Sequence, residues 1–427
     1  MGEAGDNTRD ACAVMNVLER AECLLDCGSS GNMNFTVIAA FRGQLEIRVL
    51  EAALIALQRR HTLLRSSLSW QEHRCHFRPI SQQVPLTVLP MPNDHQGAWK
   101  PAAMAALRQR FDNSDQPLWR MSWLRADDSG YLLITFHHAI ADGLSAMALV
   151  QELFQHLGND RKATAVPERA EATDELVPDL EHTFAMDRHG AGAVQRMPER
   201  QDLGLTTGYV LEELSAEASQ ALLGWSRERG LRLNATLHAA FLQAFVQNGL
   251  LSATTTASTV VNLRALASPA LGWDLMRLLR VCVDTEVEVD PSAPLADLAS
   301  QLHKVLQHQL RNGAPIVALN TIADAVADAP SPRELWQRSW REGGLITNLG
   351  RVPVQAHHGA VELVSLFFVA NIEPIALPHS PLAVLGALSF RERLRLTCFH
   401  IEQQISESQA ISAMDEMKDR LLAVTGR

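Results

Sequence analysis

The sequence predicts a mixed α/β (α+β) protein built as two halves, and three observations carry that expectation. The chain has 427 residues, which is more than one hydrophobic core usually spans. Segments with strand character and segments of helical period alternate on both sides of one long aperiodic stretch. About 47% of the residues are apolar and only 20% charged, enough for two cores and unlike a disordered, collagen-like or disulfide-scaffold chain.

In chain order, residues 46–60 read as a helix, because Ile47, Leu50, Leu54 and Leu57 recur on one face. Residues 70–89 are strand-like and turn-rich, and Pro90, Pro92, Asn93 and Asp94 mark a loop. A shorter helix is expected at 102–111. Residues 119–125 and 131–137 are apolar runs separated by Asp127-Asp128-Ser129-Gly130, the composition of an antiparallel hairpin. After Gly143, Leu144, Met147, Leu153, Phe154 and Leu157 give a helix that Gly158 closes.

Residues 159–202 lose periodicity and gain charge, proline and glycine, and so form the candidate linker. The expected division is 1–185 and 186–427. The second half reads as a strand at 208–213, a helix capped by Ser215, a helix capped by Asn234, and a strand at 256–261. Strands at 281–289, 361–370 and 394–402 alternate with helices at 295–311 and 408–423.

The balance of 38 Lys and Arg against 48 Asp and Glu gives a net charge of −10 with no dense basic run, which argues against nucleic acid as a partner. The start, Met1-Gly2-Glu3-Ala4-Gly5-Asp6, lacks a cationic lead and an apolar run, and Asp6 stands where a myristoylation signal needs Ser or Thr. The richest apolar stretch, 131–150, is broken by His137, His138, Asp142 and Gly143. These features predict a cytoplasmic protein without a membrane span. The six cysteines are scattered with no CxxC pair, so reduced thiols are expected. His357-His358 and the histidines at 73 and 76 lack a partner cluster at ligand spacing, so no metal is expected.

One segment points to chemistry: His137-His138-Ala139-Ile140-Ala141-Asp142-Gly143, between a buried strand and a helix. A histidine at a strand end has its backbone fixed by the sheet and its ring on a rigid edge, as a general base requires. Neighbours on a strand point to opposite faces, so His137 is assigned to the structure and His138 to catalysis. Asp142 either orients His138 as in a triad or caps the helix and pairs with a buried arginine, and the second role is preferred. Gly143 permits a close backbone approach or a positive φ. No Gly-x-Ser-x-Gly elbow or cysteine motif supplies a nucleophile, which favours direct transfer assisted by a lone base.

With HHAIADG, the stretch Phe111-Asp112-Asn113-Ser114-Asp115-Gln116-Pro117-Leu118-Trp119-Arg120 and the stretch Arg59-Arg60-His61-Thr62-Leu63-Leu64-Arg65, the sequence resembles the HHxxxDG acyltransferase superfamily. That superfamily includes condensation domains, polyketide-associated acyltransferases and alcohol acyltransferases. Val260-Val261-Asn262-Leu263-Arg264 resembles its strand ending in Arg, and Ile346-Thr347-Asn348-Leu349-Gly350-Arg351 its late Asn loop. The resemblance implies two chloramphenicol-acetyltransferase-like halves arranged as a V, with His138 in a tunnel at their junction and Asp142 paired with Arg264. It also implies transfer of an acyl group from a coenzyme A or phosphopantetheine (acyl carrier protein) thioester to a small-molecule or lipid-like hydroxyl acceptor. The donor is then a co-substrate, and no cofactor is permanently bound. The helix after Gly143 and the Asn348 side chain are candidate oxyanion donors. Two rival readings remain, a stand-alone condensation enzyme that forms amides and a catalytically silent binding module.

Overall fold

In a computed structural model, the structure describes residues 14–28, 33–71, 74–92, 97–111, 115–158, 203–267, 270–328 and 332–426. The linker stretch 159–202, with the expected boundary at 185, lies outside the described residues, as do 93–96 and 112–114.

The described residues begin with helix α1 (Val17–Gly28) and strand β1 (Asn34–Arg42), followed by α2 (Ile47–Arg60). Strands β2 (Ser66–Gln71) and β3 (Arg74–Pro79) form a separate hairpin. Next come β4 (Leu86–Pro90), α3 (Trp99–Arg108), β5 (Trp119–Arg125), β6 (Ser129–His137) and α4 (Gly143–Leu157). The second half contributes β7 (Thr207–Leu214), β8 (Thr254–Asn262), β9 (Arg280–Glu288), β10 (Gly343–Arg351), β11 (His357–His358), β12 (Val361–Ala370), β13 (Leu382–Phe390) and β14 (Arg393–Ile401). Its helices include Ala216–Glu228, Leu233–Gln247, Leu295–Arg311, Ala314–Asp328 and Glu407–Ala423.

Two six-stranded sheets result. The first runs β11-β12-β1-β6-β5-β4 and the second β7-β14-β13-β10-β8-β9. In the first, β1 pairs antiparallel with β6, Asn34 lying opposite His137, and on its other edge with β12. The second half therefore gives residues 357–370 to the first half's sheet, an exchange that a simple division into 1–185 and 186–427 does not contain. In the second sheet β10 runs parallel to both β13 and β8. One apolar core packs around β1, β6, α2 and α4, and another around the helix Leu233–Gln247 and strands β13 and β14.

Local chemistry explains the element ends. Ser215 caps its helix by accepting the Ala218 N–H, and Ser406 caps Glu407–Ala423 in a capping box with Gln409. Asn234 is not a cap: the helix begins at Leu233 and Arg232 takes the cap position without a side-chain bond. Gly158 follows α4 at φ −72, so it is not left-handed. A Cβ there would stand 2.8 Å from the His358 backbone, so glycine is needed for that close approach. Strand β1 carries no alternation to betray it, because its residues 34–41 are all buried.

Candidate active site

The site grows from the end of β6 and the turn into α4. The sheet holds both histidine backbones: the His137 N–H donates to Leu118 O at 2.8 Å and the His138 N–H to Met33 O at 2.7 Å. Their rings then part. His137 is 1% exposed, its Nδ1 accepts the Ala139 N–H at 3.1 Å, and its Nε2 lies 3.7 Å from Asp26 Oδ1. Burial pulls the Asp26 carboxyl up, but His137, Arg110 and the Met33 N–H outweigh it and hold it low. His137 thus lies in a buried polar cluster.

His138 is partly exposed, with its ring against that of Phe35 on β1 at a centroid distance of 4.7 Å. Its Nδ1 is 2.9 Å from Ala141 O. A carbonyl oxygen can only accept, so Nδ1 carries the proton and Nε2 keeps its lone pair. Burial and the positive charge of Arg280 push the ring down to about 4, against a smaller opposing pull from Glu22. Arg280 and Glu22 themselves form an ion pair at 2.8 Å.

Asp142 does not orient His138. Its oxygens accept from Arg264 Nη1 at 2.6 Å, Arg264 Nη2 at 3.1 Å, the Ser145 N–H at 3.0 Å, Ser145 Oγ at 3.0 Å and the Leu279 N–H at 3.0 Å. The residue is both the N-cap of α4 and the partner of a fully buried arginine, and these donors keep it ionised despite burial. Arg264 is 2% exposed, and its Nη2 also donates to the Leu275 and Arg277 carbonyls. One carboxylate thus joins the turn between β6 and α4 to the second half. A parallel link runs from α1, where Glu19 and Arg277, both buried, pair at 2.6 Å.

Gly143 has no positive φ, so of the two expectations only the close approach applies. A Cβ there would come within 2.7 Å of the Leu349 side chain on β10, so the start of α4 abuts the second half. The neighbouring Asn348 is half-buried, and its Oδ1 accepts the Gly350 N–H at 2.8 Å, which leaves the amide NH₂ as its donor end. His358 Nε2 is bonded to the Gln355 carbonyl at 2.9 Å.

Ser145, Phe35, Glu22 and Arg280 were not singled out by sequence reasoning. Ser145 had a signal, since it stands three residues after a helix-capping Asp. The others are brought to the site from distant segments, and only the fold shows it.

Known proteins agree with this architecture. Residues 27–170 match the family model for the condensation domain, and residues 207–399 match that for the phthiocerol/phthiodiolone dimycocerosyl transferase C-terminus. A nonribosomal peptide synthetase, kk1B of Curvularia clavata, is 34% identical over 117 residues, 27% of this chain but 1% of that protein's length. Trichothecene 15-O-acetyltransferase TRI3 of Fusarium sporotrichioides superposes with a TM-score of 0.69 at 14% identity, over 99% of this chain and 97% of the other. Polyketide synthase associated protein 5 of Mycobacterium tuberculosis gives 0.65 at 16% identity, over 97% and 99%. At these identities the structural likeness is one of fold. One family model falls on each half, so the chain is similar to condensation domains along its first half and to phthiocerol/phthiodiolone dimycocerosyl transferases along its second, and it shares the fold of the solved relatives.

Proposed function

We propose that the protein moves an acyl group from a coenzyme A or carrier-protein thioester to a hydroxyl acceptor, forming an ester, with His138 as general base. The observation that carries this is the tautomer of His138: Nδ1–H is tied to the Ala141 carbonyl, and Nε2 of the neutral ring has no hydrogen-bond partner among the described residues. In this reading Nε2 takes the acceptor's O–H proton as that oxygen attacks the thioester carbonyl. The tetrahedral oxyanion receives hydrogen bonds from the Asn348 amide and the start of α4. Its collapse breaks the C–S bond, and the imidazolium returns the proton to the departing thiolate. Asp142 and Arg264 position the turn without touching substrate. Holding both substrates at the junction of the halves supplies the entropic advantage of a pre-oriented pair.

The test is release of free thiol from short acyl-coenzyme A and acyl-pantetheine donors, with alcohol and amine acceptors side by side and products identified by mass. Ester formation that disappears in His138→Ala is expected. Amide as the favoured product would replace the ester reading with a condensation enzyme. A folded wild-type protein that releases no thiol with any donor and acceptor class would leave a silent binding module. Full turnover in a folded His138→Ala protein would remove the base assignment.

A further inference from the structure

A second feature lies a strand's length from His138. β1 begins at Asn34, opposite His137, and ends eight residues later at Arg42, about 26 Å away at roughly 3.3 Å per residue. There a cavity of about 360 Å³ is lined by Arg42, Glu362, Val364, Arg391 and Arg393. Three arginines and one glutamate line it, in a chain whose net charge is −10. Arg391 Nη1 holds Glu362 Oε1 at 2.6 Å, and Arg393 turns to Glu213 at 2.5 Å. Among the described residues no carboxylate pairs with the Arg42 side chain.

The backbone supplies an independent observation. Phe390 pairs with Arg393, so Arg391 and Glu392 form a two-residue hairpin turn, and both have positive φ, 51 and 63. Among the described residues these are the non-glycine positions with positive φ. Asn-Gly suits such a turn, whereas a long side chain there is held at a cost in backbone strain. The exposed ion pair with Glu362 is a weak return for that strain.

We propose that this cleft is a binding site for a phosphate-bearing ligand, gripped by Arg42, Arg391 and Arg393. Guanidinium forks match phosphate oxygens, and an anionic group balances the positive charge that three arginines leave after Glu362 and Glu213 are both counted. The proposal does not rest on the acyl-transfer reading, because no part of it uses His138.

Calorimetric titration of the full chain at low salt with inorganic pyrophosphate and with adenosine 3′,5′-bisphosphate tests it. Both are expected to bind, more weakly as salt rises, and Arg42→Gln and Arg391→Asn should each raise Kd about tenfold. Asparagine tolerates positive φ, so Arg391→Asn should melt no lower than the parent, a combination that a purely structural arginine would not give. Competition of these ligands with an acyl-coenzyme A donor would identify the site as holding the donor's nucleotide tail, and binding without competition a separate phosphorylated ligand. Either result supports the site. Absence of binding by both probes, or affinities unchanged in both variants, overturns it.

Discussion

What separates His138 from His137 is the company of each ring nitrogen. His137 is enclosed beside Asp26, while His138 has one nitrogen tied to a carbonyl and the other without a hydrogen-bond partner among the described residues. His138→Ala is expected to lower turnover by about 10²–10⁴-fold, the usual contribution of a general base, with little change in melting temperature. His137→Ala should instead lower the melting temperature, because it leaves Asp26 without its neighbour in a buried setting. The pH dependence follows from the lowered value of about 4. A base must be unprotonated, so the acidic limb of kcat/KM should fall near pH 4 in the free enzyme and not near the ordinary 6.5 of histidine. A limb at 6.5 would show that the ring is solvated in the working enzyme. The same shift sets a stability slope. Between about 6.5 and 4 the unfolded chain binds the proton that the folded ring refuses, so stability falls as pH drops through that window. His238, buried and lowered to about 4, adds to the slope, so His138→Ala should flatten the melting curve against pH only in part. That the two histidine rings enter different surroundings was legible in the sequence, because strand alternation separates their faces. Glu22, Arg280 and Phe35 were not, since nothing local to them marks the ring they surround.

At the scale of elements, α4 and its cap hold the site together. Asp142 ends the turn from β6, caps α4 and receives Arg264 from the end of β8 in the other half. Asp142→Ala is expected to cost about 3–5 kcal/mol, because the guanidinium of Arg264 remains buried without its counter-charge. Thermal denaturation checks this, and replacing both residues should cost less than the sum of the single changes. A cost under about 1 kcal/mol for Asp142→Ala would mean that water reaches Arg264 and the pair is not a closed link. Gly143 tests the same junction from the other side. Gly143→Val brings a branched side chain against Leu349, next to Asn348, and should change turnover more than it changes stability. The strand-turn-helix order was readable, because an apolar run, a short turn that ends in Asp142-Gly143 and a helical period follow one another. The Asp142–Arg264 partnership came from resemblance, since two residues 122 positions apart carry no local sign of contact.

For the whole molecule, the exchange of residues 357–370 decides how the halves depend on each other. β1 is buried along residues 34–41, and one of its edges is satisfied by β12 from the far end of the chain. The pairing runs from Phe35 opposite Ala370 to Arg42 opposite Glu362, so removing the second half bares nearly the full edge of a long apolar strand. Such an edge is a template for aggregation, because its N–H and C=O groups seek another strand. The same removal strips Arg277 from Glu19 and Arg264 from Asp142, leaving two buried carboxylates without counter-charges. The Asp142–Arg264 link was implied by the resemblance, but the strand exchange was not visible in the sequence, where 361–370 reads as one more strand of the second half and residues 34–42 carry no alternation to mark them as a strand. Separate expression of 1–185 and 186–427 tests the dependence directly, because the cut falls in the stretch between the halves and breaks none of the described elements. Residues 1–185 alone should aggregate or melt without a cooperative transition, whereas co-expression with 186–427 should restore a soluble complex through the β1–β12 ladder and the two ion pairs. A monomeric 1–185 fragment that melts cooperatively near the temperature of the intact chain would show that the first sheet closes without β12, and the halves would then be independent domains.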